Sequence, residues 1–318
     1  MYELLVVNGT DVYAPVVESG VKLTSERICS PSQLTFSFVD DGDMKITEGN
    51  IVKFSKDGVL MFYGYVFSIS SDKDKVKKVI AYDQIRYLKN KDTYVFSNVT
   101  ATEIVKNIAT NFLLNVGTLT DTKFKIASQV EDNTELIDMI GNALDTTLMN
   151  TKELYVLYDS GGMLNLKNIN DMTLDLLIDE ETTSNYSYST SIDSGTYNQV
   201  KLTYDNEKTG KREVYMTKDS SNISKWGVLQ YYDKLKEGEN GQAKADALLK
   251  LYNAKVKSLT LKDCFGDPRV RGGSMVGVNL AIEDVSVLSQ MIVESVTHKF
   301  DGTLHTMDVK LKGGVING

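Results

Sequence analysis

The sequence predicts a mainly β protein with an α+β insertion: two β domains flanking a small mixed domain. Three observations carry this. Residues 49–88 alternate in polarity between turns, as half-buried strands do. The apolar period then lengthens to that of helices between 100 and 148. Alternating strands return from about residue 197 to 311, interrupted by one helical stretch.

In the first segment, GNIVKF, a KDG turn, VLMFYGYVFSIS, a charged DKDKVKK turn and VIAYDQIRYL form a meander rich in Val, Ile, Tyr and Phe. This places a β-barrel or sandwich at residues 1–94. TATEIVKNIATNF follows, with Thr100 and Glu103 at capping-box spacing and Ile104, Val105, Ile108 and Phe112 on one helical face. A second helix, expected to be capped by Asp132, carries Leu136, Ile137, Ile140, Leu144 and Leu148. ELYVLYDSGGMLNLKNI then reads as a hairpin turning at Ser160, Gly161 and Gly162, so residues 95–180 form the small α+β domain.

The third domain is expected at 181–318. It opens on a polar stretch, 181–196, read as a linker or exposed edge. Two strands around a Lys-Thr-Gly turn follow, then a helix with Ala245, Leu248, Leu249 and Tyr252 on one face, then strands at 256–261, 275–280 and 290–311. There is a faint internal echo. Gly49-Asn-Ile-Val, GYVFSISS and VIAYD run in the same order as Gly273-Ser-Met-Val, QMIVESVT and LHTMDV, which hints that the first and third domains share a barrel type.

The composition excludes several classes. Apolar residues make up 42% and charged residues 25%, which is globular rather than disordered. The longest apolar run, VLMFYGYVF, is far short of a bilayer span, and MYELLVVNGTD lacks a signal-peptide pattern, so no membrane segment is expected and synthesis in a cytoplasm is. A net charge of −8, mixed along the chain, disfavours specific nucleic-acid binding. Cys29 and Cys264 lack ligand spacing and read as reduced, apolar fillers.

The candidate chemistry is thin. VTHKFDGTLHTMDV holds both histidines; if Asp301-Gly302 is the turn, His298 stands directly opposite His305. Two imidazoles are the candidate metal ligands, but a site needs three or four donors, so packed strand residues are the preferred reading. DDGD at 40–43 has hard oxygens without EF-hand spacing and reads as a solvated turn. FGDPRVRGG carries two arginines but neither a Walker lysine nor a dinucleotide fingerprint. No nucleophile motif of a known hydrolase appears, so neither catalytic nor cofactor-binding residues are assigned and no cofactor is expected.

Four segments in this order resemble the XkdQ/YqbQ-type baseplate hub proteins of contractile phage tails, defective prophages and phage-tail-like bacteriocins: DDGDMKITEGNIVKFSKDGVLMFYGYVF, AYDQIRYLKNKDTYVFSNVTATEIVKNIA, NQVKLTYDNEKTGKREVY, and GDPRVRGGSMVGV with MIVESVTHKFDGTLHTMDVKL. The resemblance covers most of the chain and extends to the hub part of type VI secretion spike proteins. It implies two tail-tube-like split β-barrels around the α+β domain and a homotrimer whose pseudo-sixfold face adapts a hexameric tail tube to a trimeric central spike. Implied partners are the tube or tube-initiator protein, the spike, baseplate wedge proteins and the tape-measure protein. The implied location is the baseplate of a virion or tail-like particle, and the implied role is structural, not enzymatic. Unlike some hubs, the sequence ends at KLKGGVING without a fused lysozyme-like or needle domain. The rivals are a cell-wall hydrolase using His298 or His305, and a carbohydrate-binding tail protein stacking sugars on Tyr63, Tyr65 and Phe67.

Overall fold

The computed structural model describes the chain outside residues 19, 29, 41, 194, 207–208, 236–239, 283–284 and 314–318, with side chains described outside 281–289. Cys29 and Asp41 therefore lie outside the described residues. The chain forms two compact units, Met1–Ser187 with Leu259–Gly318, and Tyr188–Ser258.

The larger unit begins with seven strands: β1 (Tyr2–Asn8), β2 (Asp11–Tyr13), β3 (Val21–Glu26), β4 (Gln33–Val39), β5 (Ile51–Lys56), β6 (Val59–Ser71) and β7 (Val76–Tyr82). Alternation decides their faces. In β4, Leu34, Phe36 and Phe38 point inward, and in β6 Phe62 and Val66 do the same. They meet Leu4, Val6, Val52, Phe54, Val79 and Ala81 in one core. Burying each such aromatic stabilises the fold by about 1.5–3 kcal/mol.

Past Tyr82 a 3₁₀ turn, Gln84–Lys89, leads into a second core built by β8 (Lys91–Thr100), α1 (Ala101–Asn111), β9 (Val116–Leu119), β10 (Lys125–Glu135), α2 (Leu136–Thr151), β11 (Tyr155–Asp159) and β12 (Leu164–Asn168). The capping box is present. The Thr100 hydroxyl accepts from the Glu103 N–H at 3.2 Å, and the Thr100 N–H donates to Glu103 Oε2 at 2.7 Å. Ile104, Val105 and Ile108 are buried, with Phe112 packed beside them. Asp132 does not cap the second helix as expected. It sits where the β10 register shifts and accepts from Thr93 Oγ1, so the strand runs on to Glu135 and the helix starts without a side-chain cap.

β13 (Thr173–Asp179) and β14 (Asn185–Ser191) follow, the latter an exposed strand in the polar stretch. The smaller unit then contains β15 (Gln199–Asn206), β16 (Lys211–Lys218), α3 (Ser220–Trp226), β17 (Gln230–Lys234) and α4 (Gly241–Tyr252). Its sheet runs β16-β15-β17, and α4 packs Ala245, Leu248, Leu249 and Tyr252 against one face, with Val200, Leu202 and Tyr215.

The chain closes with β18 (Val256–Phe265), β19 (Met275–Ile282), β20 (Val285–Asp301) and β21 (Leu304–Gly313). These continue the first sheet, in the order β18-β21-β20-β3-β4-β7-β6-β5-β1-β2, with β19 on β20 and β13 on β19. β20 pairs with β3 over Ser295–Phe300, and Phe300 enters the first core 4.7 Å from Phe54. Residues 181–318 are thus not one compact body: Tyr188–Ser258 stands as its own unit, and the last strands join the first ones.

The internal echo has a backbone counterpart. Gly49 and Gly273 both take positive φ, at 85° and 93°, where a Cβ is disfavoured. The Gly49 N–H donates to the Val66 carbonyl and the Val66 N–H to the Asn50 carbonyl; the Gly273 N–H donates to Val293 and the Val293 N–H to Ser274. Thr47 N–H reaches the Asn50 side chain at 2.9 Å, as Arg271 N–H reaches Ser274 Oγ at 3.1 Å. A bulge follows each, after Val66 in the β6–β7 ladder and after Val293 in β20–β21. The same turn and the same bulge therefore occur twice.

Candidate functional site

The histidine hairpin is built one step off the expected register. Asp301 pairs with Leu304, Phe300 with His305 and His298 with Met307, so the histidines are diagonal rather than opposite. The reason is the turn. Gly302, at φ 54°, takes the first of two loop positions, the glycine position of a type II′-like hairpin, with Thr303 second.

The diagonal still brings the rings together, with His298 Nδ1 2.9 Å from His305 Nε2. His298 Nε2 lies 2.9 Å from the Val270 carbonyl, which only accepts, so that nitrogen carries the hydrogen. Neutral His298 then accepts at Nδ1 from the His305 Nε2–H. Burial pushes both imidazoles down to about 4, which keeps them neutral. His305 also stacks on Phe300 at 4.2 Å. Among the described residues no group of three or more His, Cys, Asp or Glu is placed to hold a metal ion.

Two of the segments that carry the family resemblance meet at a buried polar cluster. Asp83, from AYDQIRYLKN, accepts from the Ser32 N–H at 2.9 Å and the Ile85 N–H at 3.0 Å, capping the 3₁₀ turn. Gln84 donates to Asp159 Oδ2 at 2.8 Å, and the Gly162 N–H donates to Oδ1 at 2.9 Å. Arg271, from GDPRVRGG, donates to the Asp159 carbonyl at 2.9 Å and lies over the Tyr158 ring at 4.7 Å. Burial, reinforced by the neighbouring Asp159 charge, pushes the Asp83 carboxyl up to about 7. Burial alone pushes Asp159 up to about 6, against the bonds from Gly162 and Gln84.

The glycines beside Arg271 complete this fastening. Gly272 donates to Ser25 Oγ at 3.0 Å, and a Cβ there would meet the Glu26 carbonyl carbon at 2.3 Å. The Arg27 guanidinium pairs with Glu294 at 2.9 Å nearby. The cluster joins the first meander, the α+β segment and the C-terminal strands. Neither Asp83 nor Asp159 was singled out by sequence reasoning, because their burial comes from strands far apart in the chain; the AYDQ motif was the only signal.

The other candidates are occupied. Tyr63, Tyr65 and Phe67 line one face of β6, but Tyr65 and Phe67 pack against Tyr87 at 5.9 and 5.6 Å, Phe67 meets Tyr82 at 5.5 Å, and Gly162 abuts Tyr63. Each ring is half-buried and already engaged by its neighbours, edge to face or tilted. Asp40 pairs with Lys77 at 2.5 Å and accepts from Gly42 N–H, as a turn residue does. Arg269 forks onto Asp267. Cys264 is buried beside Thr183 Oγ1, and burial raises its thiol pKa.

Among the described residues no helix is long and apolar enough to cross a membrane. A prophage MuSo2 43 kDa tail protein from Shewanella oneidensis shares the fold, with a TM-score of 0.72 at 13% identity over 97% of this chain and 98% of that one. YqbQ of Bacillus subtilis (strain 168) is 33% identical over 331 residues, covering 100% of this chain and 99% of the relative. The phage-like element PBSX protein XkdQ of the same organism is 32% identical, covering 97% and 96%. The YQBQ-like family matches residues 21–312, which takes in both copies of the turn-and-bulge motif and the buried Asp83–Arg271 cluster. Over nearly its whole length, then, this chain belongs to the YQBQ-like family.

Proposed function

We propose that the chain is a structural hub of a phage-tail or tail-like baseplate, without catalytic activity. Three copies form a ring whose two split barrels per chain present a pseudo-sixfold face to the hexameric tail tube and a threefold face to the central spike. The observation that carries this reading is the turn-and-bulge motif found twice in one chain, at Gly49 and at Gly273. A duplicated module is what a threefold ring needs to match a sixfold one. Kinship with a phage-like element protein and the shared tail-protein fold support it. The tube or tube-initiator, spike, wedge and tape-measure proteins are its partners, and the baseplate is its place. The occupied residues of the histidine pair and the aromatic row favour structure over either rival.

The experiment is native mass measurement of the purified chain alone and mixed with tail-tube and spike proteins from the same genome. Three copies in the complex are expected. A chain that stays monomeric in the mixture overturns the reading.

A further inference from the structure

Two edge strands of the molecule are complementary in charge and in apolar residues. The smaller unit carries twelve Lys and Arg against nine Asp and Glu, a net of +3, in a chain of net −8, which leaves −11 for the rest. Among the described residues of this unit its sheet is covered on one face only, by α4. On the uncovered face, β16 presents Arg212, Val214, Met216 and Lys218, with Val214 51% and Met216 46% exposed. Among the described residues β16 pairs only with β15, so its outer backbone edge is open.

In the larger unit β13 is the counterpart. Among the described residues it pairs only with β19, and its outward positions are Thr173, Asp175, Leu177 and Asp179, with Leu177 48% exposed. Long open edges with apolar side chains invite pairing, and folded proteins ordinarily blunt them. Here neither strand contains Pro, and each carries charges of one sign on its outward face.

We propose that β16 of one copy adds antiparallel to β13 of a second copy, so that the smaller unit of each chain straps its neighbour. The register that sets Met216 against Leu177 also sets Lys218 against Asp175, an apolar pair flanked by an ion pair. Contact between two different surfaces propagates head to tail and closes into a ring when the rotation permits. The inference deepens the ring reading and rests on it for the presence of several copies. Backbone bonds along the edge supply affinity, and the charges fix the register.

The test is sedimentation equilibrium of the full chain with reciprocal charge reversals. Lys218→Glu and Asp175→Lys are each expected to weaken self-association at low salt by about fivefold, the scale of an exposed ion pair. The chain carrying both reversals should recover, and high salt should weaken the wild type. Both residues are exposed, and circular dichroism checks that each variant folds. Single reversals without effect on mass, or no recovery in the double variant, overturn the contact while leaving the ring reading to the tube-and-spike experiment. A wild-type chain monomeric at every concentration also overturns it, and in that case a three-copy complex with tube and spike still upholds the ring.

Discussion

Asp83 and the histidine pair titrate in opposite senses. The folded chain holds a proton on Asp83 up to about pH 7, against 3.8 for the ordinary group. The folded state binds more protons than the unfolded one across that window, so this group makes stability fall as pH rises through it. His298 and His305 resist protonation down to about 4, against 6.5 ordinarily. There the unfolded state binds more protons, so stability falls as pH drops from 6.5 toward 4. Each group contributes a slope of up to about 1.4 kcal/mol per pH unit. Asp83→Asn should therefore expose the histidines and give a denaturant midpoint lower at pH 4.5 than at 6.5. His298→Leu leaves His305 opposed by both Asp83 and Asp159, the latter a carboxyl that burial holds up at about 6, and should give the reverse slope on a lower baseline, because the Val270 carbonyl loses its donor. Urea titrations across that range check both. The sequence placed the histidines on one apolar face but erred on register, because whether Asp301 or Gly302 opens the turn is set by a positive φ that a DG pair alone leaves open.

The duplicated turn is the element on which the proposed function leans, and its two copies are not equally tolerant. At Gly49 a Cβ would meet nothing within 4 Å, so Gly49→Ala pays only for the left-handed backbone, about 1–2 kcal/mol. At Gly273 the same Cβ would lie 2.8 Å from Val156 Cγ1, and Gly273→Ala should cost more than Gly49→Ala by thermal or chemical unfolding. Similar losses would indicate that Val156 yields freely. Elements of local origin were the legible ones. Thr100 with Glu103 announced the first helix, the Ser160–Gly162 turn its hairpin, and Ala245 with Leu248 the last helix. The second helix start was misread because Asp132, a good cap by type, is held inside a bulged strand by Thr93.

At the scale of the molecule the division at residue 181 was the least legible feature. The polar composition of 181–196 marks a change of environment but not where the chain returns. The Ser184 N–H donates to the Lys262 carbonyl, so the segments leading into and out of Tyr188–Ser258 lie side by side. Replacing Tyr188–Ser258 by a hairpin-length linker should leave the larger unit folded, with its near-ultraviolet circular dichroism retained and one cooperative transition. Loss of that signal would mean the larger unit depends on the excised segment.

The pairing of β3 with β20 has a consequence for synthesis. Val21–Glu26 pairs early with β4 but cannot acquire its second neighbour until Ser295–Phe300 has left the ribosome, and the core around Phe54 lacks Phe300 until then. Closing a loop of that span is entropically costly and slow. The N-terminal meander must wait, unfinished at one edge, until Phe300 has been translated, so the first sheet closes only after both flanking cores and the smaller unit have been synthesised.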